Sequence, residues 1–151
     1  MRIAAPLLAT VLFSAAARAD AQTAQDSLAI RQTALDYIEG WYEGNAERMS
    51  RALHPDLAKR IVQPQPDGAQ LRNMTAEQLV EATRRGGGRT TPVDKQRKEV
   101  TILDIYGNAA SVRVLAADWI DFLHIGKAGD HWVIINVLWE LTPEAKKRMG
   151  G

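Results

Sequence analysis

The stretch His131-Trp132-Val133-Ile134-Ile135-Asn136-Val137-Leu138-Trp139-Glu140-Leu141 decides the fold. It is rich in β-branched and aromatic residues, follows a turn at 126–130 and stops at Thr142-Pro143, which reads as a strand. Trp132, Ile134, Asn136 and Leu138 alternate with Val133, Ile135, Val137 and Trp139, so both faces are apolar. An antiparallel sheet with one face in water shows a cleaner alternation. One face therefore packs on helices. The other, with Trp139, is expected to meet a second sheet, most simply that of another copy of the chain.

Outward from this strand, Glu99–Tyr106 alternates in the same way, Gly107-Asn108 is a turn, and 109–125 reads as one long strand that bends. The sequence before residue 99 has a different period. Over 26–42 two helical stripes run side by side, Ile30, Ala34, Tyr37, Trp41 and Leu28, Leu35, Ile38, Tyr42, wide enough for a helix clasped on two sides. Gly44 stops it and Asn45 caps a second helix that Pro55 ends at His54. Short strands are expected at 60–63 and 69–73, flanking the turn-rich Pro64-Gln65-Pro66-Asp67-Gly68. Thr75-Ala76-Glu77-Gln78 is a capping box that opens a third helix, closed by Gly86. Helices first and a meander afterwards make an α+β domain over 26–142, with a short tail at 143–151 that Thr142-Pro143-Glu144 caps as a brief helix.

Residues 1–19 read as a secretory signal peptide: Met1-Arg2, an apolar run over 3–17, and small residues at Ala17-Arg18-Ala19. The run is too short for the ~20 residues of a membrane span. Cleavage is expected after Ala19, with Ala21 the alternative, and 20–25 is a flexible leader. The mature chain is then periplasmic or secreted. The full chain has 151 residues and a formal charge of +1. Loss of Arg2 and Arg18, with no acidic residue, leaves 132 residues, 17 basic against 18 acidic, and a charge of −1. Such a balance offers no electrostatic footprint for nucleic acid. The absence of cysteine excludes disulfides, thiolate metal sites and cysteine nucleophiles.

Helix, helix ending in Leu53-His54-Pro55-Asp56-Leu57, short hairpin, helix, then a meander closing on Trp132-Val133-Ile134-Ile135-Asn136: this order resembles the nuclear transport factor 2-like superfamily. The segments Tyr37-Ile38-Glu39-Gly40-Trp41-Tyr42-Glu43-Gly44, Leu53-His54-Pro55-Asp56 and Asp121-Phe122-Leu123-His124, with Lys127 and Trp132, are similar to its lumazine-binding branch, near the SnoaL-like proteins. The resemblance implies a cystatin-like α+β roll, a cone whose curved antiparallel sheet wraps about three N-terminal helices and leaves a pocket at the wide end. Relatives include cyclases, isomerases, dehydratases, epoxide hydrolases and pure binders, so the fold leaves the chemistry open. The glycines of 86–94 depart from the pattern and lengthen a loop at the rim.

Asp121, between Ile120 and Phe122, is a carboxylate on a buried strand, which must be paired, hydrogen-bonded or protonated. Burial would raise its pKa toward the range of a general acid or base. It is the candidate catalytic residue, with His54 as partner, and the competing reading is a structural anchor bonded to Trp132, Asn136 or a backbone amide. Tyr37, Trp41, Asn136 and Trp119 are the candidate ligand contacts, although aromatics in a helical stripe also serve as core. Asp118, Asp121 and His124 do not converge on a strand, because alternate side chains point to opposite faces, and no metal site is expected. Gly86-Gly87-Gly88-Arg89-Thr90-Thr91-Pro92 lacks the Lys-Ser/Thr ending of a phosphate loop, and no cofactor is expected.

Three functions remain from these residues. The first is an exported homodimer that holds a small apolar or aromatic molecule. The second is a cofactor-independent lyase, isomerase or cyclase working through Asp121 and His54. The third is a dimeric adaptor with a vestigial pocket.

Overall fold

The computed structural model describes residues 7–149, with side chains from Thr23 onward. Helix α1 spans Leu7–Glu43 and α2 spans Ala46–Ala52. Strands β1 (Leu53–Gln65) and β2 (Gly68–Thr75) form a hairpin that leads into α3 (Ala76–Arg84). Strands β3 (Glu99–Tyr106), β4 (Ala109–Leu115), β5 (Trp119–Ala128) and β6 (His131–Leu141) follow, and α4 (Pro143–Met149) ends the described chain. The signal segment falls partly outside the described residues.

The helix boundaries follow from capping. Gly44 takes φ 64°, and Asn45 Oδ1 accepts from the Arg48 amide to start α2. Both halves of the capping box are made at α3, Thr75 Oγ1 accepting from Gln78 N and Gln78 Oε1 from Thr75 N. Gly40 lets α2 cross close over α1, since a Cβ there would stand 3.0 Å from the Met49 amide nitrogen. Arg48 then locks the crossing by ion pairs to Asp36, Glu39 and Glu43.

Six strands make one sheet in the order β2-β1-β6-β5-β4-β3. From β3 to β6 the expected antiparallel meander is present, but β1 runs parallel to β6. The register between β1 and β6 breaks from Leu53 to Ala58, where Pro55 can donate no ladder hydrogen bond. The expected bent strand over 109–125 is instead the hairpin β4–β5. Ala116 N bonds to Trp119 O at 2.9 Å, closing a turn that carries no Gly or Pro signal. The core lies between α1 and the sheet, around Ile30, Ile38, Met49, Val112, Leu123 and Ile134, all at most 1% exposed. Each such side chain stabilises the fold by roughly 1.5–3 kcal/mol through burial. Leu28, expected in the apolar stripe, is 71% exposed and lies outside the contact with the sheet.

Strand β6 explains why both its faces are apolar. A bulge at Ile135, where the pairing jumps from His124↔Asn136 to Ile125↔Ile134, reverses the alternation. Trp132 and Ile134 face the helices before it, and Val137 and Trp139 after it. Ile135 and Leu138 face outward.

Candidate ligand site

A cavity of about 280 Å³ lies between the C-terminal half of α1 and the inner face of the sheet, walled mainly by Tyr37, Trp41, Lys59, Met74, Trp119 and Trp139. Tyr37 and Trp41 project from the same side of α1, four residues apart. Trp119 opens β5 and meets Trp41 edge to face, with ring centroids 6.2 Å apart and planes at 89°. Trp139 is brought inside by the bulge, so its expected place on a dimer face is corrected.

Trp41 in turn rests on the glycine loop. A Cβ on Gly87 would stand 2.3 Å from Trp41 Cη2, and one on Gly88 2.5 Å from Trp41 Cδ1. Only glycine lets this backbone lie against the indole. The glycines thus set the position of an aromatic wall.

One end of the cavity is polar. Lys59 Nζ donates to Asp121 Oδ1 at 2.6 Å and to the Tyr37 hydroxyl at 2.7 Å. The Tyr37 hydroxyl donates to Asp121 Oδ2 at 3.2 Å, and Trp119 Nε1 donates to the same oxygen at 2.7 Å. Asp121 is fully buried and Lys59 nearly so. Three donors from three elements therefore satisfy one carboxylate, and the ammonium also lies 5.1 Å from the Trp139 ring centroid. Burial first, then the charge and hydrogen bond of Asp121, pushes the Tyr37 phenol well above the ordinary tyrosine range. Tyr37 is accordingly a neutral donor.

Asp121 stands behind Lys59, Tyr37 and Trp119 and is not itself part of the cavity wall. Of the residues singled out in the sequence, Tyr37, Trp41, Trp119 and Asp121 are brought together. His54 and Asn136 are not. His54 is the second residue of β1 and its Nδ1 accepts from the Asp56 amide at 3.1 Å, a local contact two residues along the chain. Asn136 pairs with His124 across the outer face, beyond the bulge. An Asp121–His54 acid–base pair is therefore not assembled. Neither Trp132 nor Asn136 bonds Asp121: the Trp132 indole donates to Asp26, which Lys127 also reaches.

Lys59 was missed in the sequence. The signal was present, because Leu57, Lys59 and Ile61 alternate along β1 and all three are buried. A lysine on the apolar face of a strand needs a carboxylate nearby.

Helices followed by a curved six-stranded sheet, with a pocket between α1 and the sheet, define an α+β roll of the nuclear transport factor 2-like class. The family model described as "Putative lumazine-binding" matches residues 25–140, and the chain belongs to that family. An NTF2-like protein of unknown function from Shewanella baltica is similar in structure, with 21% identity, TM-score 0.62, and coverage of 80% of this chain and 96% of that one. An NTF2-like protein with a cystatin-like fold from Novosphingobium aromaticivorans gives 13% identity, TM-score 0.63, and coverage of 86% and 92%. A hexachlorocyclohexane dehydrochlorinase of type 2 gives 9% identity, TM-score 0.53, and coverage of 82% and 89%. At these identities the likeness is one of fold. No functionally curated protein matches the chain.

Proposed function

We propose that this chain is an exported small-molecule-binding protein that holds one planar, largely apolar molecule in the cavity of α1, β1, β5 and β6. The observation that carries the reading is the wall of Tyr37, Trp41, Trp119 and Trp139, with two charged residues in the lining, Lys59 and Asp118. Such a site, apolar with few convergent polar groups, is the ordinary form of a ligand pocket. Its 280 Å³ suits one or two fused rings. The family description, lumazine-binding, likewise points to a planar fused ring system. Binding is favoured over proton-transfer catalysis because Asp121 already accepts three hydrogen bonds and stands behind the cavity wall.

Export rests on residues 1–19 of the sequence. No helix among the described residues is long and apolar enough to cross a membrane. Dimerisation through the outer sheet face is supported by Phe122 and Leu138, paired across β5 and β6 and 43% and 53% exposed.

Titration of intrinsic tryptophan fluorescence tests the binding reading, with lumazine as the first probe and native mass spectrometry of protein purified from its own host beside it. Saturable quenching, lost in Trp139→Leu, supports the reading. Absence of saturable quenching, together with no co-purifying small molecule, overturns it.

A further inference from the structure

A second cavity of about 280 Å³ lies on the inner face of the β1–β2 hairpin and shares Lys59, Met74 and Trp139 with the first. These three side chains line both cavities and so form the partition where the two meet, a waist that a ligand spanning both would have to pass. The waist is adjustable, since Met74 is unbranched and changes rotamer at little cost. The chambers differ in chemistry: the first is aromatic, while Gln63, Arg72 and Asn73 line the second. Two cations, Lys59 and Arg72, face that second chamber, and no carboxylate is among the residues that line it.

The two cations are also held differently. Lys59 is balanced by Asp121 at 2.6 Å. Arg72 has no carboxylate partner among the described residues and reaches only Gln63 Oε1, at 3.5 Å. Register explains its placement, because Arg72 pairs with Ile61, whose side chain points inward from β1. A guanidinium on the inner face of a hairpin, with no acid among the residues that line its chamber, is arranged for an oxyanion.

We propose that the ligand is bipartite: a planar apolar body in the first chamber and, past Lys59 and Trp139, an anionic group in the second that Arg72 receives. Carboxylate and phosphate share the required chemistry. This rests on the binding reading above and narrows it to amphiphilic anions.

The test compares naphthalene-1-acetate, 1-naphthyl phosphate and neutral naphthalene-1-ethanol by tryptophan fluorescence on the wild-type protein, Arg72→Gln and Arg113→Gln. Arg113 is an exposed cation on the outer face and serves as the control. The expected result is that at least one anion binds about tenfold more tightly than the alcohol. Arg72→Gln removes that preference while keeping the affinity for the alcohol, and Arg113→Gln retains it. Whichever anion shows the preference identifies the group. Equal binding of all three compounds, or a preference that survives Arg72→Gln, overturns the bipartite ligand and leaves the binding reading standing. No binding of any compound overturns the bipartite ligand, and the binding reading is then decided by the lumazine titration and the co-purification experiment above. Circular dichroism of Arg72→Gln confirms that the exposed hairpin position tolerates the change.

Discussion

Lys59 Nζ sits 2.6 Å from Asp121 Oδ1, although the two residues are 62 positions apart and β6 lies between their strands. The lysine reaches diagonally over β6, above Val137, its register partner, toward Trp139, the partner of Asp121. Removing one member of a buried pair leaves an uncompensated charge, typically at a cost of about 3–5 kcal/mol. Lys59→Met is therefore expected to lower unfolding free energy by about that amount in chemical denaturation. Lys59→Met/Asp121→Asn should recover at least half of the loss, since the amide oxygen that replaces the carboxylate would still accept from Tyr37 and Trp119. A double variant no more stable than Lys59→Met contradicts the pairing.

Gly87→Ala places a methyl within 2.3 Å of the Trp41 ring. The indole has to move toward the cavity, with an expected loss of about 1–3 kcal/mol and a weakened affinity for any planar ligand. Thermal unfolding and fluorescence titration of the same variant check both effects. Unchanged stability and affinity would show that the loop does not set the position of Trp41.

Stability should fall in acid because of Asp36. Burial raises its pKa, but hydrogen bonds from Arg48, Gln32 and Arg51 outweigh this and hold it below the usual aspartate value of 3.8. A depressed folded pKa contributes stability that is present above the unfolded value and lost as pH falls through the folded one. The loss therefore falls below about pH 4. Asp36→Asn should be less stable at neutral pH and show a flatter acid limb in denaturant midpoints. An acid limb identical to that of the wild type rules out this contribution.

Two buried tyrosines whose phenol pKa burial raises, Tyr42 and Tyr37, shape the alkaline limb, and the more strongly shifted is Tyr37. Its raised pKa contributes stability that is whole below the unfolded value near 10.0 and lost as pH rises toward the folded one. Tyrosinate absorbance should accordingly report Tyr37 ionising together with unfolding. Ionisation of all three tyrosines while the fold is retained would contradict its burial beside Asp121.

Phe122→Arg is expected to yield a monomer if Phe122 and Leu138 form the centre of a sheet-to-sheet contact, since charges are depleted at such centres. Sedimentation velocity of wild type and variant at the same concentration decides it. A wild-type monomer removes the basis for the dimer.

Several elements were legible in the chain because their signals are local. Asn45, Gly44 and the capping box Thr75 to Gln78 act within one turn of the residues that they cap, and the structure places α2 and α3 by them. The β4–β5 turn was not legible, because Ala116, Ala117 and Asp118 offer Asp118 as the one turn-favouring residue and no Gly or Pro, and the closing bond from Ala116 to Trp119 depends on both strands being paired. The reversed alternation of β6 was hidden for a similar reason, since a bulge at Ile135 is a property of the pairing with β5. Of the polar cluster, Asp121 was visible as a charge on an apolar strand. Lys59 was equally visible by spacing, yet a long cationic side chain is so commonly solvated that its inward position went unread. His54 and Asn136 failed as site residues because proximity of their elements to the cone does not fix the direction of a side chain.

The parallel pairing of β1 with β6 also governs the order in which the chain can assemble. The neighbour of residues 53–65 is the strand at 131–141, so this half of the sheet forms only after nearly the whole chain is available. Contacts so distant in sequence slow folding, because the loop between them must close first. Lys59 and Asp121 lie on strands that β6 joins, so their pair forms only with this long-range contact and stays hydrated before it. Under the export proposed above, a chain that travels unfolded gains from that delay.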